Sequence, residues 1–199
     1  MLALAGCATA PVDVAPPNVV ELTAVAERSV FPVEAAGFTR ERVLIYGPNH
    51  RNYSVTYHRS DGFAQTVVFF VYETGAAPAT QFRAERAGME QAHADASLLA
   101  ESRGPVERGG QRYAGYTADF EYEDIFDRRV QPVHARLRLL AGPGGFLKMR
   151  STAPVAQRES AMAGARQLLA TVDWPVCLAE PTEQAGCVGK RAREASGTR

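Results

Sequence analysis

Apolar side chains occupy both faces of the segment Gln65–Glu73 if the chain there is extended. Successive side chains of a strand point to opposite sides of the sheet. One side therefore carries Val67, Phe69 and Val71, and the other carries Val68, Phe70 and Tyr72. Because water contact on either side would expose an apolar row, both sides need to be covered. The segment predicts a central strand in a sheet that is covered on both faces.

Turn residues divide the remaining chain into further strands and two helices. Strand patterns cover Phe38–Tyr46, Tyr53–Arg59, Gln111–Phe126, Val130–Leu140 and Phe146–Thr152. Helical spacing predicts one helix from Thr80 to about Arg103, ended by Gly104-Pro105. A second helix is predicted to start at Pro154 and to end at Asp173-Trp174-Pro175. We expect an α+β fold in the order β-β-β-α-β-β-β-α, with an antiparallel sheet of about six strands and two main helices.

Length and composition limit the classes of function. The chain has 199 residues, of which 46% are hydrophobic, so global disorder is excluded. The formal net charge is zero and gives no electrostatic footprint for nucleic acid. We expect one α+β domain over residues 30–176, preceded and followed by segments of a different kind.

A short apolar run near the N-terminus ends in small residues and a cysteine, Leu4-Ala5-Gly6-Cys7. This tetrapeptide resembles the lipobox of bacterial lipoproteins. The resemblance implies that the peptide before Cys7 is removed and that Cys7 carries the lipid. The segment before Cys7 is shorter than the apolar core of about 7–15 residues in a secretory signal. We therefore interpret residues 1–6 as a signal peptide remnant, with either a translation start further upstream or a truncated beginning at Met1.

Residues 7–29 are predicted to form a lipid anchor and a Pro-rich tether. Three prolines and almost no charge lie between Ala8 and Val19, and Pro-rich linkers extend by about 3.1 Å per residue. In the lipoprotein family, an Asp directly after the cysteine signals retention in the inner membrane, whereas this chain has Ala8. The resemblance implies a lipid-anchored protein of the bacterial cell envelope, in the outer membrane and facing the periplasm.

Two further cysteines, Cys177 and Cys187, follow the second predicted helix. In an oxidising envelope such a pair predicts a disulfide; two free thiols or a metal pair are the alternatives. The spacing is wide for zinc, and no histidine lies nearby. We expect residues 177–199 to form a disulfide-closed segment and a disordered tail, which leaves Cys7 as the odd, lipid-bearing cysteine.

The predicted order of elements resembles the PsbP-like fold. The resemblance covers most of Val30–Pro175 and includes the Val-Phe-Phe-Val-Tyr strand at 68–72 and the Trp174-Pro175 ending. This fold is shared by extrinsic photosystem proteins, a Ran-binding protein and DcrB-type envelope lipoproteins. The resemblance implies a binding or assembly module and assigns no particular partner.

Charged residues alternate with apolar ones in the second half of the predicted sheet. If Phe120 is paired with Leu137, the apolar residues share one face and the charged residues share the other. That register places Asp119 opposite Arg138, Glu121 opposite Arg136 and Glu123 opposite His134. Across the Gly142–Gly145 turn, two more cations fall beside the arginines. The possible binding face comprises Asp119, Glu121, Glu123, His134, Arg136, Arg138, Lys148 and Arg150.

Two interpretations of this face stay open: a solvated sheet surface with cross-strand ion pairs, or a surface for an anionic envelope component or an acidic protein. No Gly-x-Ser-x-Gly elbow, metal-ligand cluster or phosphate-binding glycine loop occurs in the sequence. We expect no cofactor, no metal and no catalytic residues. The leading hypothesis is a non-enzymatic binding or assembly module. The alternatives are a periplasmic carrier of a small ligand and a hydrolase with an unrecognised site.

Overall fold

The computed structural model describes residues 31–46, 52–175 and 178. This part of the chain contains eight strands and two helices, with four strands before the first helix and four between the two helices. The strands are β1 (Glu34–Ala35), β2 (Phe38–Ile45), β3 (Tyr53–Arg59), β4 (Gln65–Tyr72), β5 (Ser97–Arg108), β6 (Gln111–Phe126), β7 (Arg129–Gly142) and β8 (Gly145–Pro154). The helices are α1 (Pro78–Ala92) and α2 (Arg158–Thr171), and a short 3-10 helix, Val155–Gln157, precedes α2.

All eight strands form one antiparallel sheet in the spatial order β1-β2-β3-β4-β8-β7-β6-β5. The predicted α+β class, the antiparallel sheet and the two main helices are confirmed. The predicted number of about six strands is wrong, because β1 and β5 were not expected. Along the chain the order is therefore four strands, a helix, four strands and a helix. In the sheet the second group of four strands lies beside the first, and its last strand, β8, pairs antiparallel with β4.

The first helix is shorter than predicted. It ends at Ala92 rather than near Arg103, and the following residues form β5. Gly104-Pro105 lies within that strand instead of stopping a helix. Proline lacks the N–H that a strand donates, so it is tolerated mainly in edge strands. Since β5 is the last strand of the sheet and pairs only with β6, its free edge accommodates Pro105.

The second helix also begins later than predicted. Pro154 ends β8 rather than starting the helix, and α2 begins at Arg158. A buried amide ties α2 to the sheet, since Gln65 Nε2 donates to Ser151 Oγ at 2.9 Å and to the Ala161 carbonyl at 2.8 Å. At the other end, the Arg108 guanidinium donates to the carbonyls of Leu169, Ala170 and Val172. A cation at the negative end of the helix dipole stabilises α2 there.

The sheet separates two apolar clusters, as the two-sided strand predicted. On the α2 side, Val67, Phe69 and Val71 of β4 are fully buried together with Leu147 and Leu168. On the α1 side, the second cluster is centred on β6 and β7 and includes Phe82, Met89, Phe120, Val133 and Leu137. The α1-side residues of β4 are half-buried. The central position of β4 is therefore confirmed.

Several predictions fall on residues outside the described part of the chain. These are the signal remnant 1–6, the lipid anchor and tether 7–29, Cys7, the Cys177–Cys187 disulfide and the tail 177–199 other than Leu178. Within the described residues, neither helix has the length and apolar character that a membrane span needs.

Candidate functional site

Six of the predicted site residues lie on one face of β6 and β7. Arg136 of β7 lies between Asp119 of β6 and Ser151 of β8 in the sheet register. Ser151 is the residue that Gln65 links to α2, so this row faces the α2 side. We use the name charged cluster for the residues of this face: Asp119, Glu121, Glu123, His134, Arg136 and Arg138.

The pairing within the charged cluster differs from the predicted register by two residues. Asp119 lies opposite Arg136 and Glu121 opposite His134, while Glu123 faces Pro132. The two-residue turn at Asp127 and Arg128 fixes this pairing. Moving such a turn by one position along the chain changes the register by two residues. Because side chains alternate with a period of two, this shift exchanges partners but keeps every residue on its predicted face.

Asp119 is the centre of the charged cluster. Its Oδ1 accepts a hydrogen bond from Arg136 Nε at 2.7 Å and another from His134 Nε2 at 3.0 Å, and its Oδ2 accepts from Arg136 Nη2 at 2.8 Å. Asp119 is 4% exposed and His134 2%. Burial alone would raise the pKa of Asp119, but the hydrogen bonds from His134 and Arg136 outweigh it and hold that pKa far below its usual range. The carboxylate is therefore permanently ionised near neutral pH.

The acidic residues further along β6 are less enclosed. Glu121 is half-buried and Glu123 is exposed. The backbone N–H of Glu123 donates to Asp95 Oδ2 at 2.7 Å, which connects this end of β6 to the turn before β5. Within the charged cluster, burial thus decreases from Asp119 towards the β6–β7 turn.

Lys148 and Arg150 lie on the opposite face of the sheet, and their predicted place beside the arginines of β7 is wrong. They pair with Leu139 and Leu137, whose side chains belong to the α1-side cluster. Lys148 Nζ donates to Glu85 Oε2 of α1 at 2.7 Å and lies 4.0 Å from the centre of the Phe70 ring. These contacts engage Lys148 with α1 and remove it from the charged cluster.

Arg150 is also directed towards α1. Its Nη1 lies 3.9 Å from Met89 Sδ. The neighbouring carboxylate, Glu85, has a pKa below its usual value: burial acts to raise it, and the hydrogen bonds and charge of Lys148 outweigh that effect. The α1 face is therefore a structural contact between helix and sheet.

Arg138 contrasts with Arg136. It lies opposite Thr117 on β6 and opposite Met149 on β8, so neither cross-strand neighbour is acidic. Burial lowers the pKa of Arg138, and the positive charges of Arg136 and of Arg166 in α2 lower it further. The sequence analysis did not find Arg166. No local pattern indicates it, because its place beside β7 depends on how α2 crosses the sheet.

Among the clefts that lie away from the charged cluster are two with polar and charged linings. One of about 370 Å³ lies between α1 and β5–β6 and is lined by Ala79, Phe82, Arg83, Glu101, Ser102, Arg103 and Tyr116. Another of about 510 Å³ lies at the end of β2 and β3, beside Glu41, His58 and Asp61. Within the described ranges, no group of three His, Cys, Asp or Glu side chains is arranged to hold a metal ion.

Comparisons with known proteins identify no family for this chain. No protein-family model matches the chain, and a comparison with curated proteins gives no match. Among solved structures, a crystal structure of a protein of unknown function from Pseudomonas aeruginosa is similar at 16% sequence identity and a TM-score of 0.38. The similarity covers 63% of this chain and 78% of that one.

Proposed function

We propose that this chain is a lipid-anchored protein of the bacterial cell envelope whose α+β domain acts as a non-enzymatic binding or assembly module. The observation that carries the proposal is the Leu4-Ala5-Gly6-Cys7 tetrapeptide followed by a Pro-rich, nearly uncharged stretch. Diacylation of Cys7 would give stable membrane attachment, because anchoring by acyl chains needs more than one chain. Ala8, in place of Asp, favours the outer membrane.

The electrostatics of the charged cluster favour binding over catalysis. A general base works best when its pKa lies near the operating pH. Asp119 is held far below that range, and both of its oxygens accept hydrogen bonds from Arg136 or His134. Such a carboxylate orders its neighbours and is a poor proton acceptor. The face that it organises suits recognition of a charged partner.

The finer fold assignment, PsbP-like, belongs to the same proposal. In this chain Trp174 packs into the domain. The centre of its ring lies 4.8 Å from the centre of the Tyr113 ring, and its Nε1 donates to the Leu169 carbonyl at 3.3 Å. This packing is consistent with a shared ending of the fold. Members of that fold act as binding or assembly modules, which supports the same class of role here.

Mass spectrometry of the protein isolated from bacterial envelopes tests the anchor. We expect a diacylglyceryl or triacylated Cys7 at the mature N-terminus and recovery with the outer membrane. Cys7→Ser should abolish acylation and release the protein, whereas Thr9→Ala should leave both unchanged. Ala8→Asp should move the protein to the inner membrane. An unacylated Cys7 in wild-type protein recovered from the cytosol would overturn the proposal.

A carrier of a small ligand is a second candidate, favoured by the cleft of about 370 Å³ between α1 and the sheet. Ligand sites in proteins commonly have volumes of about 300–1,000 Å³. Native mass spectrometry of the same envelope preparation distinguishes the two roles. A carrier should retain a small molecule of constant mass, and a protein recovered only in its unliganded mass or with a protein partner would contradict this candidate.

A further inference from the structure

The guanidinium of Arg138 is an incompletely compensated charge in the sheet. Its Nε is buried and has no hydrogen-bond partner among the residues that the structure describes. The residue pairs with Thr117 and Met149 in register, which offer a hydroxyl and a thioether but no negative charge. A buried donor without an acceptor costs about 1–3 kcal/mol, and more when the group is charged. A protein keeps such a group at a cost in stability, and an anion bound at the same guanidinium would offset its uncompensated charge.

The nearest carboxylate cannot neutralise Arg138. Asp119 lies one row further along the same face and uses both oxygens for Arg136 and His134. The charge of Asp119 is therefore already compensated by Arg136 and is not free to pair with Arg138. Glu121, the next carboxylate on this face, lies opposite His134, a further row away from Arg138.

Positive charge accumulates around Arg138 instead. The charges of Arg136 on the adjacent row and of Arg166 on α2 both act on its guanidinium. Arg136 is neutralised by Asp119, whereas neither Arg138 nor Arg166 has an ion pair within the described residues. Two positive charges therefore lie close together without compensation. Arg166 is exposed, so a ligand in solvent can reach its side chain.

We propose that Arg138, with Arg136 and Arg166 beside it, forms a binding site for an oxyanion of the phosphate class. Guanidinium groups donate planar pairs of hydrogen bonds that match phosphate oxygens. A phosphate monoester carries a charge of about −1.5 to −2 near neutral pH, which matches the two uncompensated arginines better than a single carboxylate would. The half-buried hydroxyl of Thr117 can donate a further hydrogen bond on the same face. This inference rests on the proposed binding role of the charged cluster and is independent of the lipid anchor.

Titration of the purified 199-residue chain with inorganic phosphate tests the site. Calorimetry in a phosphate-free buffer of low ionic strength should detect saturable binding by the wild type. Arg138→Gln should weaken that binding by about tenfold or more, as expected for one charge-assisted hydrogen-bonding group. The matched control is Arg112→Gln, which removes the same charge from an exposed residue of β6 on the α1-side face of the sheet and should leave the affinity within about twofold.

The thermal midpoint without phosphate separates a binding role from a structural one. Relief of like-charge repulsion should raise the midpoint of Arg166→Gln while its phosphate affinity falls by about threefold. A structural arginine would show the opposite sign, with a lower midpoint. Because Arg166 is on the surface of α2, this variant keeps the test decisive if Arg138→Gln does not fold. Absence of phosphate binding, or equal binding in the two variants and the wild type, would overturn the proposal.

Vesicles distinguish a lipid headgroup from a soluble phosphate. Non-acylated protein is mixed with phosphatidylcholine vesicles that contain or lack phosphatidic acid, whose headgroup is a phosphate monoester. Binding that needs phosphatidic acid and is displaced by inorganic phosphate supports the site with a lipid as its source. Binding of free phosphate alone supports a soluble source. These measurements use purified protein, so their failure would leave the acylation of Cys7 untouched, and an unacylated Cys7 would leave them valid.

Discussion

Asp119 combines two properties that are rarely compatible in one side chain: deep burial and a permanent charge. Transfer of a carboxylate out of water is costly unless it is paired and hydrogen-bonded. Here Arg136 supplies the opposite charge through two hydrogen bonds, and His134 supplies a third donor. The anion is more stable than the neutral acid at this position, and the folded state depends on that ionisation.

Asp119→Asn is therefore expected to destabilise the protein by about 3 kcal/mol at pH 7, because an amide leaves the charge of Arg136 without its partner. The pKa of Asp119 is lower in the folded state than its unfolded value of about 3.9. The stabilisation is complete above that unfolded value and decreases as the pH falls below about 4. Urea denaturation at pH 7 and pH 3 measures both effects, with a smaller difference between variant and wild type at pH 3.

Glu123→Gln provides the control on the same strand and the same face. Glu123 is exposed, so its removal should change the free energy of unfolding by no more than about 0.5 kcal/mol. If the two variants lost the same free energy of unfolding, the burial and pairing of Asp119 would add no stability beyond that of an exposed carboxylate. A loss in Asp119→Asn that is the same at both pH values would contradict the role of its ionisation.

For single residues, the sequence predicts the face of the sheet on which a side chain lies better than it predicts the residue opposite it on the next strand. Alternation with a period of two places Asp119, Glu121, His134 and Arg136 on one side of the sheet in both the predicted and the observed register, which differ by two residues, and that part of the prediction is confirmed. Which residue opposes which depends on the position of one turn. The place of Arg166 depends on the path of α2 over the sheet, for which no short-range pattern exists.

Elements are well predicted where turn residues bound them and both faces have a clear character. The bounds predicted for β3 and β6 coincide with those observed. The edge strand β5 was missed because its side chains are mostly exposed on both sides, so it lacks the alternation of a half-buried strand. Ala96 and Leu99, the latter about two-fifths exposed, continue the apolar helical spacing of Phe82, Met89 and Ala92, which is why the sequence predicts a longer helix. The segment is extended because it pairs with β6 in a hairpin that turns at Gly109-Gly110.

The β6–β7 turn has a conformation that its residues do not favour. Asp127 and Arg128 both have positive φ, 50° and 63°, as in the type I′ turns that prefer Asn-Gly. Arg128→Gly should stabilise the protein by about 0.5–1 kcal/mol, because removal of Cβ relieves a left-handed conformation and part of that gain is offset by a more flexible unfolded chain. Chemical denaturation of the variant measures the change.

Arg129→Gly is the matched control, since Arg129 is the next residue, is also exposed, and is already part of β7. Glycine in a strand costs about 0.5–1 kcal/mol relative to alanine. The two adjacent Arg-to-Gly substitutions should therefore change stability in opposite directions. Destabilisation by both would indicate that the Arg128 side chain makes a stabilising interaction that outweighs its backbone strain.

The whole molecule is organised by a sheet that buries a different apolar cluster on each face. The cluster on the α2 side is centred on β3, β4 and β8, and the one on the α1 side is centred on β6 and β7. The two-sided segment 65–73 predicted that both faces are covered. The segment could not predict that the two apolar clusters lie over different strands, because that depends on where each helix packs on the sheet. The charged cluster occupies the α2-side face of β6 and β7.

Because the two apolar clusters lie on opposite faces and at different places along the sheet, alanine substitutions in one cluster should affect stability independently of those in the other. Val71 and Leu147 are paired directly across β4 and β8 in the α2-side cluster, and Val133 is buried in the α1-side cluster. Each substitution by alanine should cost about 2–4 kcal/mol. For Val71→Ala with Val133→Ala, the free energies of unfolding should add within about 0.5 kcal/mol, as for distant sites without shared neighbours. Double-mutant cycles from urea denaturation measure the sums.

Val71→Ala with Leu147→Ala should instead be non-additive. The two side chains share one packing region, so the second truncation enlarges a space that the first has already opened and removes fewer intact contacts. A coupling energy near zero for this pair, or one above about 1 kcal/mol for Val71 with Val133, would contradict two separately packed faces. Coupling confined to the first pair would mean that the α1-side cluster can be altered without disturbing the packing beneath α2. In that case the arginines beside α2 stay in place while the opposite face changes.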